Sequence, residues 1–248
     1  MDALVVTGPM NSYQLGVPKD PGYAVVTVHP KGDDIGSDAM HQAMTSWLAG
    51  ESLRARIQRE LDEPLGCLGV AWFSAGHGAV RAVLEGSTSP SDVQAWLCLD
   101  GLYGQNWWAV DLAKDAARDR TALMATASTS TPGDYSHSLD RWRDAVAKAG
   151  LPQADPSVAE AWGLPKPDQT WAQGAAIVAG YESLGHHQQV PAVRAGMLRY
   201  WEAVRLGDVP AARSDNSPLV WLGLSALAAG AGAAAGAAIG RAFGRYSR

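Results

Sequence analysis

The chain has 248 residues, 47% hydrophobic and 18% charged, enough to bury one sizeable core and to leave an appendage. Its 20 basic and 25 acidic residues give a formal charge of −5 without a basic block, which argues against a nucleic-acid partner. Two cysteines, Cys67 and Cys98, lie in apolar runs where a small buried thiol is the ordinary state, so no disulfide framework is expected.

The N-terminus passes from Met1-Asp2 straight into an apolar run, without the basic and long apolar regions of a signal peptide, and export by that route is not expected. Short runs at residues 3–6, 23–28, 67–72, 95–99, 122–125 and 175–179, each bounded by glycine, proline or polar residues, read as strands. Between them, 38–61 reads as a helix with a charged face, 76–84 as a short buried helix, 138–149 as an amphipathic helix and 191–206 as a closing helix. Residues 151–169 carry Pro152, Pro156, Pro165 and Pro167 and read as an irregular excursion or lid. This alternation predicts an α/β fold, a doubly wound, mostly parallel sheet of about six strands within residues 1–207.

Residues 208–218 read as a hinge, and 219–248 as an Ala/Gly-rich apolar helix with a basic tail. The uncharged run 219–240 is long enough to span a bilayer at about 1.5 Å per residue, and Gly232, Gly236, Gly240 and Gly244 share one helix face, a pattern that lets helices self-associate closely. Arg241, Arg245 and Arg248 follow and would anchor a cytoplasmic end. The expectation is a cytoplasmic domain attached to a membrane through its C-terminus, with a free cytoplasmic protein as the alternative.

The chemistry-bearing stretch is Trp72-Phe73-Ser74-Ala75-Gly76-His77-Gly78, where an apolar strand runs into a serine, small residues and a helix. This is the order of a nucleophile elbow: a tight strand-to-helix turn exposes the serine hydroxyl, and small neighbours let the helix pass close behind. The Ala75 amide at the helix N-terminus is a candidate oxyanion donor. Trp72 departs from the usual Gly-x-Ser-x-Gly pattern. A base is expected late in the chain, after the final strand, and His187 is the first choice there, with His186 the alternative. The adjacent pair lacks the helical spacing and carboxylate neighbour of a zinc site, so neither metal nor cofactor is expected. For the acid, Asp100 at the end of the strand beside the elbow is preferred, with Asp134 after the next strand as the alternative.

The phrase WFSAGHGAVR resembles the elbow of α/β-hydrolase-fold enzymes, LCLDGLYG resembles the strand end that follows it in a group of bacterial hydrolase-like proteins, and His187, Val190 and Pro191 are similar to their histidine loop. The resemblance covers roughly residues 3–206 and implies Ser74 as nucleophile, His187 as base and Asp100 as orienting acid. It also implies an oxyanion loop after the first strand. Gly8-Pro9-Met10-Asn11 occupies that place without the family's His-Gly pair, and since Pro9 has no amide, Met10 is the candidate donor.

The implied function is a serine hydrolase acting on a small-molecule or lipid acyl ester through an acyl-enzyme. The ten tryptophans suggest an apolar or carbohydrate-facing pocket, with Trp107, Trp108, Trp162 and Trp171 expected near its rim. The competing reading is an inactive scaffold that keeps the fold and uses its glycine-patterned tail for assembly or membrane insertion. An esterase lytic to a cell envelope ranks third.

Overall fold

A computed structural model describes residues 1–209 except 32, 104–106 and 130–136. The alternative acid Asp134, the hinge beyond residue 209 and the glycine-patterned tail lie outside the described residues. Among those described, no helix is long and apolar enough to cross a membrane.

Seven strands form one sheet in the order β2-β1-β3-β4-β5-β7-β6. They are β1 (Ala3–Thr7), β2 (Ala24–Val28), β3 (Leu68–Phe73), β4 (Ala95–Leu99), β5 (Ala122–Ser128), β6 (Gln169–Gln173) and β7 (Ala176–Tyr181). All neighbours run parallel except β6, which pairs antiparallel with β7. The helices are α1 (Ser12–Leu15), α2 (Ser37–Leu48), α3 (Leu53–Leu61), α4 (His77–Glu85), α5 (Trp107–Ala117), α6 (Ser138–Ala149), α7 (Ser157–Glu160) and α8 (His186–Arg205).

Successive strand residues point to opposite faces, and the core accordingly divides in two. Val5, Val70, Trp72, Trp96 and Cys98 join a first cluster with residues of α2 to α6, whereas Leu4, Val6, Phe73, Leu97 and Leu99 join a second with α1, α7 and α8. Both faces are therefore buried, which explains why the central strands read as continuous apolar runs.

Four expectations need correction. Among the described residues the sheet has seven strands where about six were expected, because β6 lies in the segment beside the expected excursion: Gln173, Gln169 and the half-buried Trp171 give an edge strand too polar to stand out. The stretch before it is no lid, since Ala154 N–H donates to the Thr170 carbonyl and Gln153 bridges to Trp171. The expected helix over 38–61 is two helices, broken where Ala49 and Gly50 take positive φ of 52° and 84° and Ser52 caps the next helix through Ala55 N–H.

The fourth difference bears on the site. The closing helix begins at His186, five residues before Pro191. Gly185 is its N-cap, and the Gln188 side chain reaches back to accept from Gly185 N–H at 2.9 Å. Pro191 therefore falls inside the helix, in its second turn, rather than marking its start.

Candidate active site

The C-terminal ends of β3 and β4 each close on a residue with positive φ, Ser74 at 51° and Asp100 at 49°. Such a conformation costs a non-glycine residue on the order of 1–3 kcal/mol and persists only where its surroundings enforce it. The chain packs tightly directly after Ser74. The chain passes through a single 3₁₀ turn, Ser74–Gly76, into α4, and a Cβ on Gly76 would come within 2.8 Å of the Thr7 carbonyl oxygen and 3.0 Å of Gly8 Cα. One on Gly78 would come within 1.9 Å of the Ser37 carbonyl oxygen, so α4 can approach α2 only with glycine there.

Trp72 replaces the small residue expected two positions before the serine, and the neighbouring strand end makes the room. Its indole is fully buried on the first face, edge-on to Trp96 and Trp108 with ring centroids 6.4 and 5.9 Å apart. Its Nε1–H donates to the Gly101 carbonyl at 2.7 Å, and a Cβ on Gly101 would lie 2.6 Å from Trp72 Cδ1. The glycine that this geometry needs therefore follows Asp100 instead of preceding Ser74.

Asp100 is fully buried. Its Oδ1 accepts from Ser128 N–H at 2.7 Å, and its Oδ2 accepts from the Ser128 hydroxyl at 2.7 Å and lies 2.7 Å from His186 Nδ1. His186 Nε2 is 3.1 Å from Ser74 Oγ. The imidazole stacks on Phe73, with centroids 4.6 Å apart and planes 18° from parallel. Serine, imidazole and carboxylate thus form one hydrogen-bonded chain, the arrangement in which a histidine takes a hydroxyl proton while a carboxylate holds its ring.

The histidine in this chain is His186, the alternative of the sequence reading, and not His187. The cause is the helix start: His186, Gln189, Val190 and Val193 fall on the buried face of α8, while the next residue, turned about 100° around the axis, is exposed. His187 instead lines a cleft of about 350 Å³ together with Met10, Phe73, Val190, Pro191 and Arg194. With the segment treated as a loop, the spacing of His187 from Val190 and Pro191 favoured the wrong histidine for this contact; helical periodicity from Gly185 onward separates the two.

The two expected oxyanion donors lie on adjacent segments. Ala75 is in the 3₁₀ turn, and the loop after β1 packs against that turn: Gly8, at φ +108°, would place a Cβ 2.3 Å from the Phe73 carbonyl oxygen. Met10, almost fully buried, lines the cleft. Of the expected rim tryptophans, Trp108 is instead core, Trp162 packs edge-on to Tyr200 and Trp171 lies on β6; Trp107 is 56% exposed.

Ser128, Tyr103 and Phe73 have parts in this geometry that their sequence context did not announce. Ser128 ends β5, whose pairing with β4 carries it beside Asp100; only the ladder register reveals that. His77, half-buried behind the elbow, has Nδ1 3.1 Å from the Ser74 carbonyl oxygen, and burial pushes its pKa below the usual 6.5. Burial likewise pushes the Cys67 thiol up to about 11 and the Cys98 thiol further, so both remain protonated. Among the described residues, no group of three or more His, Cys, Asp or Glu side chains is placed to hold a metal ion. Comparison with protein-family models returns no match to the chain, and comparison with curated proteins returns none.

Proposed function

We propose that the chain is a serine hydrolase of the α/β-hydrolase type that transfers an acyl group from an ester to Ser74 and then to water. The observation that carries this reading is the Ser74–His186–Asp100 chain, with its 3.1 and 2.7 Å links, built on two strand ends held in strained backbone conformations. Buried side-chain relays of this kind are expensive to assemble and serve acyl transfer well.

In the mechanism, His186 Nε2 accepts the Ser74 proton as Oγ attacks the ester carbonyl, and the Ala75 and Met10 amides receive the developing oxyanion. His186 returns the proton to the leaving alcohol, then activates water for the second half-reaction. Met10, Phe73, Val190 and Pro191 give the adjacent cleft apolar walls suited to an acyl chain, with Arg194 as the charged residue among those lining it. The apolar run 219–240 belongs to the proposal as a membrane anchor on its sequence alone.

Fluorophosphonate labelling of the purified full chain tests this reading. Wild type and His187→Ala are expected to label, Ser74→Ala not at all, and His186→Ala at least about 10³-fold more slowly. A folded wild type that does not label would overturn the enzyme and favour the scaffold.

A further inference from the structure

Tyr103 lies three residues beyond Asp100 and is 8% exposed. Its hydroxyl oxygen is 2.8 Å from the Asp100 carbonyl oxygen and 2.9 Å from His186 Nδ1, the same nitrogen that faces the Asp100 carboxylate. Its ring stands edge-on to both His186 and His77, with centroids 5.9 and 5.7 Å away.

These distances assign the protons. A carbonyl oxygen only accepts, so a contact of 2.8 Å requires the tyrosine hydroxyl to donate to it. The tyrosine oxygen is then left with lone pairs toward Nδ1, and the carboxylate on the other side of Nδ1 offers lone pairs as well. A bare Nδ1 would face two acceptors at under 3 Å, which is repulsive, whereas a protonated Nδ1 satisfies both. Nε2 then carries the lone pair, directed at Ser74.

We infer that Tyr103 is a positioning residue of this site: its hydroxyl, committed to the Asp100 carbonyl, is a second acceptor for His186 Nδ1–H and so fixes the tautomer that leaves Nε2 free to take the Ser74 proton. The inference rests on the acyl-transfer reading. One hydroxyl performs two tasks: it ties down the carbonyl of a residue at φ +49°, and it adds a partial negative charge beside the ring that becomes imidazolium during the reaction. Among the described residues, the groups around that ring are Asp100 and Tyr103 at Nδ1, Ser74 at Nε2, Phe73 on its face and His187 beside it; of these, Tyr103 links the ring to the backbone of the acid.

The test is Tyr103→Phe, assayed with p-nitrophenyl butyrate across pH 5–9 after a melting curve has shown the variant folded. Loss of one hydrogen bond to a charged group predicts a fall in kcat of about tenfold, with KM within about twofold of wild type. Removing an acceptor makes the imidazolium less stable, so the acid limb of kcat/KM moves to lower pH by roughly half a unit. A merely structural role would lower kcat without moving that limb, and that result overturns the inference.

A measurement on wild type stands apart from both folding and activity. With ¹⁵N-histidine and ¹³Cζ-tyrosine labels, His186 is expected to show protonated Nδ1 and bare Nε2 at pH 8, and the Tyr103 Cζ resonance to shift as the His186 ring titrates. A Tyr103 resonance indifferent to that titration overturns the inference even if the protein is an active hydrolase. Absent labelling of Ser74 by fluorophosphonate, by contrast, overturns the acyl-transfer reading itself.

Discussion

The two faces of the sheet are built differently. The first carries Trp72, Trp96, Trp108 and Trp142, all essentially inaccessible, and its helices close over them. The second is covered largely by α8, whose first turn presents His186 to the strand ends and whose other side borders the cleft. The tryptophan-lined layer holds the strand ends, through the Trp72 indole bonded to the Gly101 carbonyl, and the opposite layer brings His186 to them. On the acyl-transfer reading proposed above, position and chemistry come from different sides of one sheet edge, and substitutions on the two sides should fail in different ways.

The largest effect belongs to Asp100→Asn. The amide cannot satisfy Ser128 N–H, the Ser128 hydroxyl and His186 Nδ1–H together, because one of its ends is a donor. The labelling rate is expected to fall by up to about 10⁴-fold while the fold persists. Near wild-type labelling would place the acid elsewhere, and the division of labour between the faces would fail with it.

Trp72→Ala should do the opposite. It removes a fully buried indole and leaves the Gly101 carbonyl without its donor, at a cost of about 3–5 kcal/mol in chemical denaturation. Labelling of whatever fraction stays folded should fall far less than in Asp100→Asn. Loss of rate without loss of stability would show that the first face takes part in the chemistry and does more than hold the strand ends.

Much of this was legible in the sequence, and where it was not the reason is local. All six parallel strands and the elbow announced themselves through apolar runs and Ser-Ala-Gly, because strands buried on both faces carry few polar positions to confuse the pattern. Strand β6 was missed since polar Gln169 and Gln173 form its ends and proline-rich chain precedes it. The elbow serine and Asp100 were readable as residues at strand ends. His186 was named only as an alternative, for choosing between adjacent histidines requires the starting phase of a helix, and Pro191 suggested a later start. Tyr103 and Ser128 meet Asp100 through the turn after β4 and the register of β5, which no single stretch of sequence records.

The smallest effect lies at the junction of the two faces, where His77 at the start of α4 packs behind Ser74. Burial lowers its pKa; the nearby Arg81 acts in the same direction, and the Ser74 carbonyl and Asp38 act against it. A histidine whose folded pKa lies below its unfolded value of about 6.5 contributes stability that is present above that pH and lost as pH falls through the folded pKa. His29, also held low by burial, adds to the trend. The melting temperature should therefore decline on acidification below about pH 6.5, and His77→Gln should make that decline shallower. Because His77 lies behind the serine and His186 in front of it, the two histidines separate by readout: His77→Gln changes the acid slope of stability, whereas Tyr103→Phe changes the acid limb of the rate. If one substitution moved both, the elbow would be transmitting protonation from one face of the sheet to the other, and the faces could no longer be treated as independent.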